Sequence, residues 1–167
     1  MQPKVCTIIV NYNGAQDTIA CLDSLSKITY TNHIAIVVDN ASKETAQLKE
    51  YVEDKGFYFL ELKDNRGFAA GNNAGIRYAI ERFERIDYFL LLNNDTEVDP
   101  YFLEPLVEEC ERDEKVGACG SHINYYTKRN VTWFGGGDIK WLTGRVLHKT
   151  PSREEGKPSD ENFLTGC

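Results

Sequence analysis

Tyr88-Phe89-Leu90-Leu91-Leu92-Asn93-Asn94-Asp95-Thr96-Glu97-Val98-Asp99-Pro100 is the stretch on which the fold turns. Its apolar run lacks the alternation of a half-exposed strand, so it reads as a strand buried on both faces, of the kind found in a parallel sheet covered by helices. The run stops at Asn93, and Asn94, Asp95 and Glu97 crowd the strand end. Open α/β sheets place their ligand crevice there, and a carboxylate in that position can hold a hard divalent cation through oxygen. Asp99-Pro100 then reads as an N-cap followed by proline at the first helical position. The plain alternative for Asn93-Asn94-Asp95 is a polar strand-to-helix turn.

The same unit recurs upstream. Val5–Val10 is a short buried-type strand that ends in Asn11-Tyr12-Asn13-Gly14, and Ile19, Leu22, Leu25 and Ile28 then recur at helical spacing over Ala15 to Ile28. Ile34–Val38 is a second strand, ending in Asp39-Asn40-Ala41-Ser42. Lys43 to Asp54 follows as a helix closed by Gly56. Phe57–Leu62 is a third strand, and Asn65-Arg66-Gly67 leads into a helix reaching Arg85 with Ile76, Ile80 and Phe83 inward. After Pro100 come a helix marked by Leu103, Leu106, Val107 and Cys110, and a short strand over Val116–Ser121. Strands alternating with helices imply a mainly parallel sheet with right-handed crossovers. Beyond Asn124 the rhythm changes: Val131–Phe134 and Ile139–Leu142 read as short β segments around Gly135-Gly136-Gly137, and His148 to Glu161 as a mobile polar loop. Asn162–Cys167 begins an apolar segment, and the chain is expected to be truncated there.

Composition narrows the function. A chain of 167 residues with 41% hydrophobic content suits one domain with one core. A net charge of −7, with no basic block longer than Lys128-Arg129, argues against a nucleic-acid partner. The five cysteines are dispersed with no Cys-x-x-Cys pair and read as reduced and mostly buried in an intracellular protein. No signal-peptide core follows the N-terminus, and no apolar run approaches the roughly 18 residues of a membrane span, so the expected location is the cytoplasm. For the full-length protein that expectation extends to peripheral contact with the inner face of the plasma membrane.

In a parallel sheet the strand ends at Asn11-Tyr12, Asp39-Asn40 and Asn94-Asp95 open onto one edge, so residues distant in sequence converge on one crevice. Between them, Gly67, Gly71 and Gly75 recur every four residues on one helical face. Each glycine inside a helix costs on the order of 1 kcal/mol relative to alanine, so something approaches that backbone closely, either the sheet or a ligand. Arg66 precedes the helix N-terminus, where its guanidinium and the free backbone N–H groups can face a phosphate. The spacing is neither the Gly-x-Gly-x-x-Gly of dinucleotide folds nor a Walker loop. His33, His122 and His148 are isolated and read as structural. Trp133, Phe134 and Trp141 suit either core packing or stacking on a sugar, and Asp138 beside the glycine turn is a candidate acceptor contact.

VCTIIVNYN (5–13), VDNAS (38–42), DNRGFAAGNNAG (64–75) and LLLNNDTEVDP (90–100), in that order, resemble the motifs of family 2 inverting glycosyltransferases of the GT-A fold, in particular the rhamnosyltransferase-like bacterial members. The resemblance implies an α/β, Rossmann-like GT-A domain over 1–167. Residues 1–125 would form the donor-binding βα units and 126–167 the start of the acceptor region. It implies a nucleotide-diphosphate sugar donor, dTDP-rhamnose- or UDP-sugar-like, and a saccharide or lipid-linked saccharide acceptor in polysaccharide synthesis. Donor-binding roles fall on Asn11, Tyr12, Asp39, Asn40, Arg66, Gly67, Asn73, Asn94 and Asp95, with Asp95 ligating Mg²⁺ or Mn²⁺. Asp138, Trp141 and Gly166 fall on the acceptor side. Asn93-Asn94 stands where the usual motif is acidic, which leaves one clear carboxylate and makes metal binding depend on the diphosphate. The general base is expected beyond Cys167, after the Thr165-Gly166-Cys167 segment, so this chain is expected to bind donor and to transfer sugar poorly or not at all. Two rivals are a nucleotidyltransferase, for which the loop after the first strand lacks the expected basic residues, and a non-catalytic nucleotide-binding domain.

Overall fold

A computed structural model describes residues 2–148, 158–161 and 163–164. The chain divides into two compact units, Met1–Tyr101 and Phe102–Cys167.

The first unit is a parallel sheet of strands β1 (Val5–Asn11), β2 (His33–Asp39), β3 (Tyr58–Glu61) and β4 (Tyr88–Asn93), in the order β3-β2-β1-β4. The intervening helices are α1 (Ala15–Leu25), α2 (Ala46–Asp54) and α3 (Phe68–Arg82). This is the α/β architecture that the alternating pattern dictates. On one sheet face Cys6, Ile8, Ile36 and Val38 are buried against Ala79 of α3. On the other, Val5, Ile9, Ala35 and Val37 are buried, and α1 and α2 turn Leu22, Leu25, Leu48 and Val52 inward.

The register fixes where the site forms. Asn11 lies opposite Asp39, Asp39 opposite Glu61, and Val10 opposite Asn93, so the strands end together at one edge.

Several expectations shift. Strand β4 is not buried on both faces: Phe89 is 37% and Leu91 49% exposed. Both pair with residues on the α3 face, Cys6 and Ile8. Helix α3 packs over β1 and β2 and leaves that side of β4 uncovered, and Ile80, expected inward, is exposed on α3. Helix α1 ends at Leu25, where Lys27 and Ile28 bond to carbonyls three residues back in a tighter turn. Helix α2 begins only at Ala46, because Ala41 adopts φ 62° and Ser42 is held by Asp39. Helix α3 stops at Arg82, where Phe83 turns extended and meets Tyr58 edge-on at 5.0 Å. Asp99 accepts a hydrogen bond from the Tyr101 amide (2.9 Å) and so closes a turn rather than capping a helix.

In the second unit α4 (Leu103–Arg112) buries Leu103 and Val107. Residues 116–121 form no strand, because Gly117 and Gly120 leave the run few side chains to pack. Two antiparallel pairs follow, β5 (Ile123–Tyr125) with β6 (Lys128–Phe134), and β7 (Gly137–Lys140) with β8 (Arg145–His148). Phe134 is buried, its ring 5.3 Å from His148 and 6.0 Å from Phe163, so the core reading holds for Phe134 and the structural reading for His148. Residues 149–157 of the expected loop lie outside the described residues.

Candidate functional site

The strand ends of the first unit are joined by side-chain hydrogen bonds. Asn11, fully buried, donates from Nδ2 to Asp39 Oδ1 (2.7 Å) and to Ser42 Oγ (3.1 Å). Its Oδ1 accepts from Thr18 Oγ1 (2.9 Å) and from the Gly14 amide (3.2 Å). Thr18 in turn accepts from Asn94 Nδ2 (3.1 Å). A single chain, Asn94 to Thr18 to Asn11 to Asp39, therefore ties the ends of β4, α1, β1 and β2. A buried polar group without partners costs roughly 1–3 kcal/mol, so such a chain holds its members in one arrangement.

Asp39 is a fully buried carboxylate with three donors: Asn11 Nδ2, the Ser42 hydroxyl (2.6 Å) and the Ser42 amide (2.8 Å). Ser42 Oγ also accepts from the Asn13 amide (2.8 Å), and Asn13 Oδ1 accepts from the Lys43 amide (3.0 Å), which clasps the loops after β1 and β2 together. Asn13 (φ 54°) and Ala41 (φ 62°) are both left-handed. Asn tolerates that conformation, but Ala does so at a cost, and strain of this kind collects at ligand-facing loops.

Asn40 reaches the other way. Its Nδ2 donates to Asn65 Oδ1 (2.9 Å) and to the Gly67 carbonyl (3.3 Å), while its Oδ1 accepts from the Arg66 amide (3.4 Å). Asn65 Oδ1 also accepts from the Gly67 amide (2.9 Å). Gly67 has φ 83° and nothing near the position of an added Cβ, so it is required for the turn into α3 and not for packing. Gly71 and Gly75 are required for packing: an added Cβ would lie 2.9 Å from Val10 Cγ1 and 2.7 Å from Ile8 Cγ2, respectively. Of the two readings of the glycine face, the sheet is what approaches at these two positions.

Around this bonded base stand exposed groups able to meet a ligand. Tyr12 follows Asn11 and is 52% exposed. Arg66 projects its guanidinium outward, with Asp64 at 3.4 Å. Asp95 is exposed beside Asn94, at the turn whose Asn93 carbonyl accepts from Cys21 Sγ (3.6 Å). Burial and, to a lesser degree, the Asp95 charge push the Cys21 thiol up to about 12. Asn73 sits on the exposed side of α3, outside the bonded cluster, whereas its neighbour Asn72 is buried and donates to the Phe68 carbonyl (3.0 Å).

In the second unit Asp138 lies on β7 and Trp141, 80% exposed, at the β7–β8 turn. Gly166 lies outside the described residues. Among the described residues no three His, Cys, Asp or Glu side chains gather as a metal site. Asp95 is a solvent-facing carboxylate beside Asn94, and an ion such as Mg²⁺ can be held by one or two carboxylates with water and phosphate oxygen completing its ligands.

Sequence reasoning gives no role to Thr18 or Ser42, and places Asn13 and Asn65 only as neighbours of Tyr12 and Arg66. Ser42 carries a readable signal, three residues after an Asp in a turn-forming run. Thr18, inside an amphipathic helix, carries none.

An α/β domain whose parallel strands end in one hydrogen-bonded polar cluster is what this fold defines. The sequence profile of Glycosyl transferase family 2 matches residues 6–160, and the chain belongs to that family. Among curated proteins it is 32% identical over 129 residues to the poly-beta-1,6-N-acetyl-D-glucosamine synthase of Staphylococcus aureus, covering 74% of this chain and 29% of the synthase. It is 30% identical over 99 residues to the low-salt glycan biosynthesis hexosyltransferase Agl10 of Haloferax volcanii, covering 59% of this chain and 30% of Agl10. The chain therefore spans less than a third of these relatives. The solved structure of S. aureus TarS 1-349 superposes over 75% of this chain and 43% of its own, with TM-score 0.57 at 18% identity. The mannosyltransferase PcManGT of Pyrobaculum calidifontis, solved with GDP-Man and Mn²⁺, superposes over 75% and 36%, with TM-score 0.58 at 18% identity. Both support the GT-A fold. No helix among the described residues is long and apolar enough to cross a membrane.

Proposed function

We propose that the protein transfers a sugar from a nucleotide-diphosphate donor, dTDP-rhamnose- or UDP-sugar-like as in the rhamnosyltransferase-like branch, to an acceptor hydroxyl with inversion. The observation that carries this reading is the bonded chain from Asn94 through Thr18 and Asn11 to Asp39, which sets exposed Tyr12 and Asp95 around one strand-end base. The relatives' names support it, since they make or extend glycans, and TarS has been solved with UDP and with UDP-GlcNAc.

Tyr12 offers its ring to the base, and the Asn40-anchored loop carrying Arg66 and Gly67 lines the nucleotide pocket. Asn11 and Asp39 act from below as positioning residues, because both are buried and their polar atoms are engaged. Asn73, exposed on α3, remains a proposed donor contact. A divalent cation, Mg²⁺ or Mn²⁺, held by Asp95 would neutralise charge on the diphosphate. Arg66 and the N–H groups opening α3 supply further positive potential for the leaving group. The acceptor oxygen attacks the anomeric carbon from the face opposite the diphosphate, the bond to the diphosphate oxygen breaks, and the acceptor proton passes to a general base. Asp138 and Trp141 are proposed for the acceptor, a saccharide or lipid-linked saccharide, because an exposed indole suits the C–H face of a sugar. We place the reaction in the cytoplasm, at the inner face of the plasma membrane when the acceptor is lipid-linked.

Incubating full-length protein with UDP-GlcNAc, dTDP-rhamnose or GDP-mannose, with and without Mn²⁺, tests this directly. Acceptor-dependent release of nucleoside diphosphate supports transfer. Pyrophosphate released from a nucleoside triphosphate would point to a nucleotidyltransferase, and nucleotide binding without turnover to a non-catalytic domain.

A further inference from the structure

Cys110 closes the last turns of α4, and Cys119 lies in the segment that leads toward β5. Their sulfurs are in contact, with Cys110 Sγ donating to Cys119 Sγ at 3.2 Å. Asp113 reverses the chain between them, its carbonyl accepting from the Val116 amide (2.9 Å) and its Oδ1 from the Lys115 amide (2.9 Å). Both cysteines are partly exposed, whereas Cys6 and Cys21 are buried and the Cys21 thiol is directed to the Asn93 carbonyl. A metal does not explain the pair, because no third His, Cys, Asp or Glu among the described residues joins it, and thiolate metal sites need three or four ligands.

We propose that Cys110 and Cys119 are a reversible thiol–disulfide site, closed to an intramolecular disulfide by a low-molecular-weight disulfide such as glutathione disulfide. An S–S bond is about 2.05 Å long, so closure asks for a movement of roughly 1 Å, less than one rotamer change in either side chain. Burial and contact with Cys110 push the Cys119 thiol up to about 12, and the contact between the two sulfurs lets either make the first attack. Where Cys110 is the attacker, its thiolate attacks glutathione disulfide and releases one glutathione thiolate. Cys119 sulfur, losing its proton to solvent, then attacks the Cys110 sulfur and expels the second glutathione. Two protein S–H bonds become one S–S bond, and glutathione disulfide is reduced to two glutathiones. The bond would pin the 113–122 segment to the end of α4. Gly120 lies in that segment, and Leu164 packs against it, 3.3 Å from the position of an added Cβ.

The test is to treat the 167-residue chain with glutathione disulfide, block remaining thiols and digest with trypsin without reductant. Cleavage after Arg112 and Lys115 separates the two cysteines, so peptides 86–112 and 116–128 stay together only if the disulfide has formed. The expected result is that linked pair, absent after dithiothreitol, with slowed amide hydrogen exchange over 114–121 in the oxidised chain. In Cys110→Ser the linked pair should be absent at the same glutathione disulfide concentration. Glutathione retained on either cysteine, linkage to Cys6, Cys21 or Cys167, or two thiols still free at equilibrium would overturn the proposal. The wild-type peptide map decides even if the variant does not fold.

Discussion

Replacing Gly75 by alanine sets helix propensity directly against packing. In an open helix, Gly→Ala stabilises by about 1 kcal/mol, because alanine loses less backbone entropy on folding. At position 75 the new methyl would sit 2.7 Å from Ile8 Cγ2, 2.9 Å from Val38 Cγ2 and 3.3 Å from Ile8 Cδ1. Ordinary carbon contacts are no closer than about 3.5 Å. Ile8 and Val38 are fully buried in adjacent strands and have β-branched side chains, so neither methyl can swing aside without leaving its rotamer. Helix α3 must lift, at the 1–3 kcal/mol typical of overpacking. The net expectation is destabilisation by up to about 2 kcal/mol, with the sign opposite to propensity, read as a lower urea midpoint at unchanged slope. At Gly71 the facing side chain is Val10, which is only partly buried and has room to move, so Gly71→Ala should cost less. A Gly75→Ala protein as stable as the parent, or more so, would refute the reasoning that these glycines let α3 approach the sheet.

Three further outcomes follow from the bonded base and the core. Thr18→Val removes the link between Asn94 and Asn11 while keeping the shape of the side chain; it should cost about 1–2 kcal/mol in unfolding and weaken nucleotide binding, with Thr18→Ser restoring most of both. Asn40→Ala removes one of the two bonds to Asn65 Oδ1 and those to the Gly67 carbonyl and the Arg66 amide, and should raise hydrogen exchange over 64–68 ahead of any global loss of stability. His33 is lowered by burial to about 4 and pairs with Thr7 Oγ1 at 2.8 Å. Between pH 6.5 and 4 the unfolded state takes up a proton that the folded state refuses. Stability should therefore fall across that window, by up to about 3 kcal/mol, and a His33→Gln chain should show a flatter pH profile in urea titrations.

Much of this was legible in the sequence because the apolar runs of a parallel sheet are long enough to read and their polar ends fall at fixed positions. Asn11, Asp39 and Asn94 could be placed on one edge from strand direction alone, and the structure joins them through hydrogen bonds. What was not legible depended on which neighbour lies across the sheet. The five apolar residues from Tyr88 do not reveal that α3 covers β1 and β2 but stops short of Phe89 and Leu91. The glycine face of α3 reads first as packing, with ligand contact as the rival, and Ile8 and Val10 beneath it bear the packing reading out at Gly71 and Gly75. Lys128-Arg129-Asn130 extends β6 by cross-strand pairing with β5, where exposed polar side chains hide the strand from any apolar count. Thr18 was invisible because its role is set by Asn11 and Asn94, seven residues before it and 76 after.

The central claim, that the strand ends form a cation-assisted nucleotide-diphosphate site beside Asp95, is tested most directly by calorimetric titration of UDP and dTDP with and without Mn²⁺, comparing the parent with Asp95→Ala. The account predicts that Mn²⁺ tightens binding to the parent by roughly tenfold, about 1.4 kcal/mol, and leaves the variant's weaker binding unchanged. An Asp95→Ala protein with the parent's affinity and the parent's response to Mn²⁺ would contradict it.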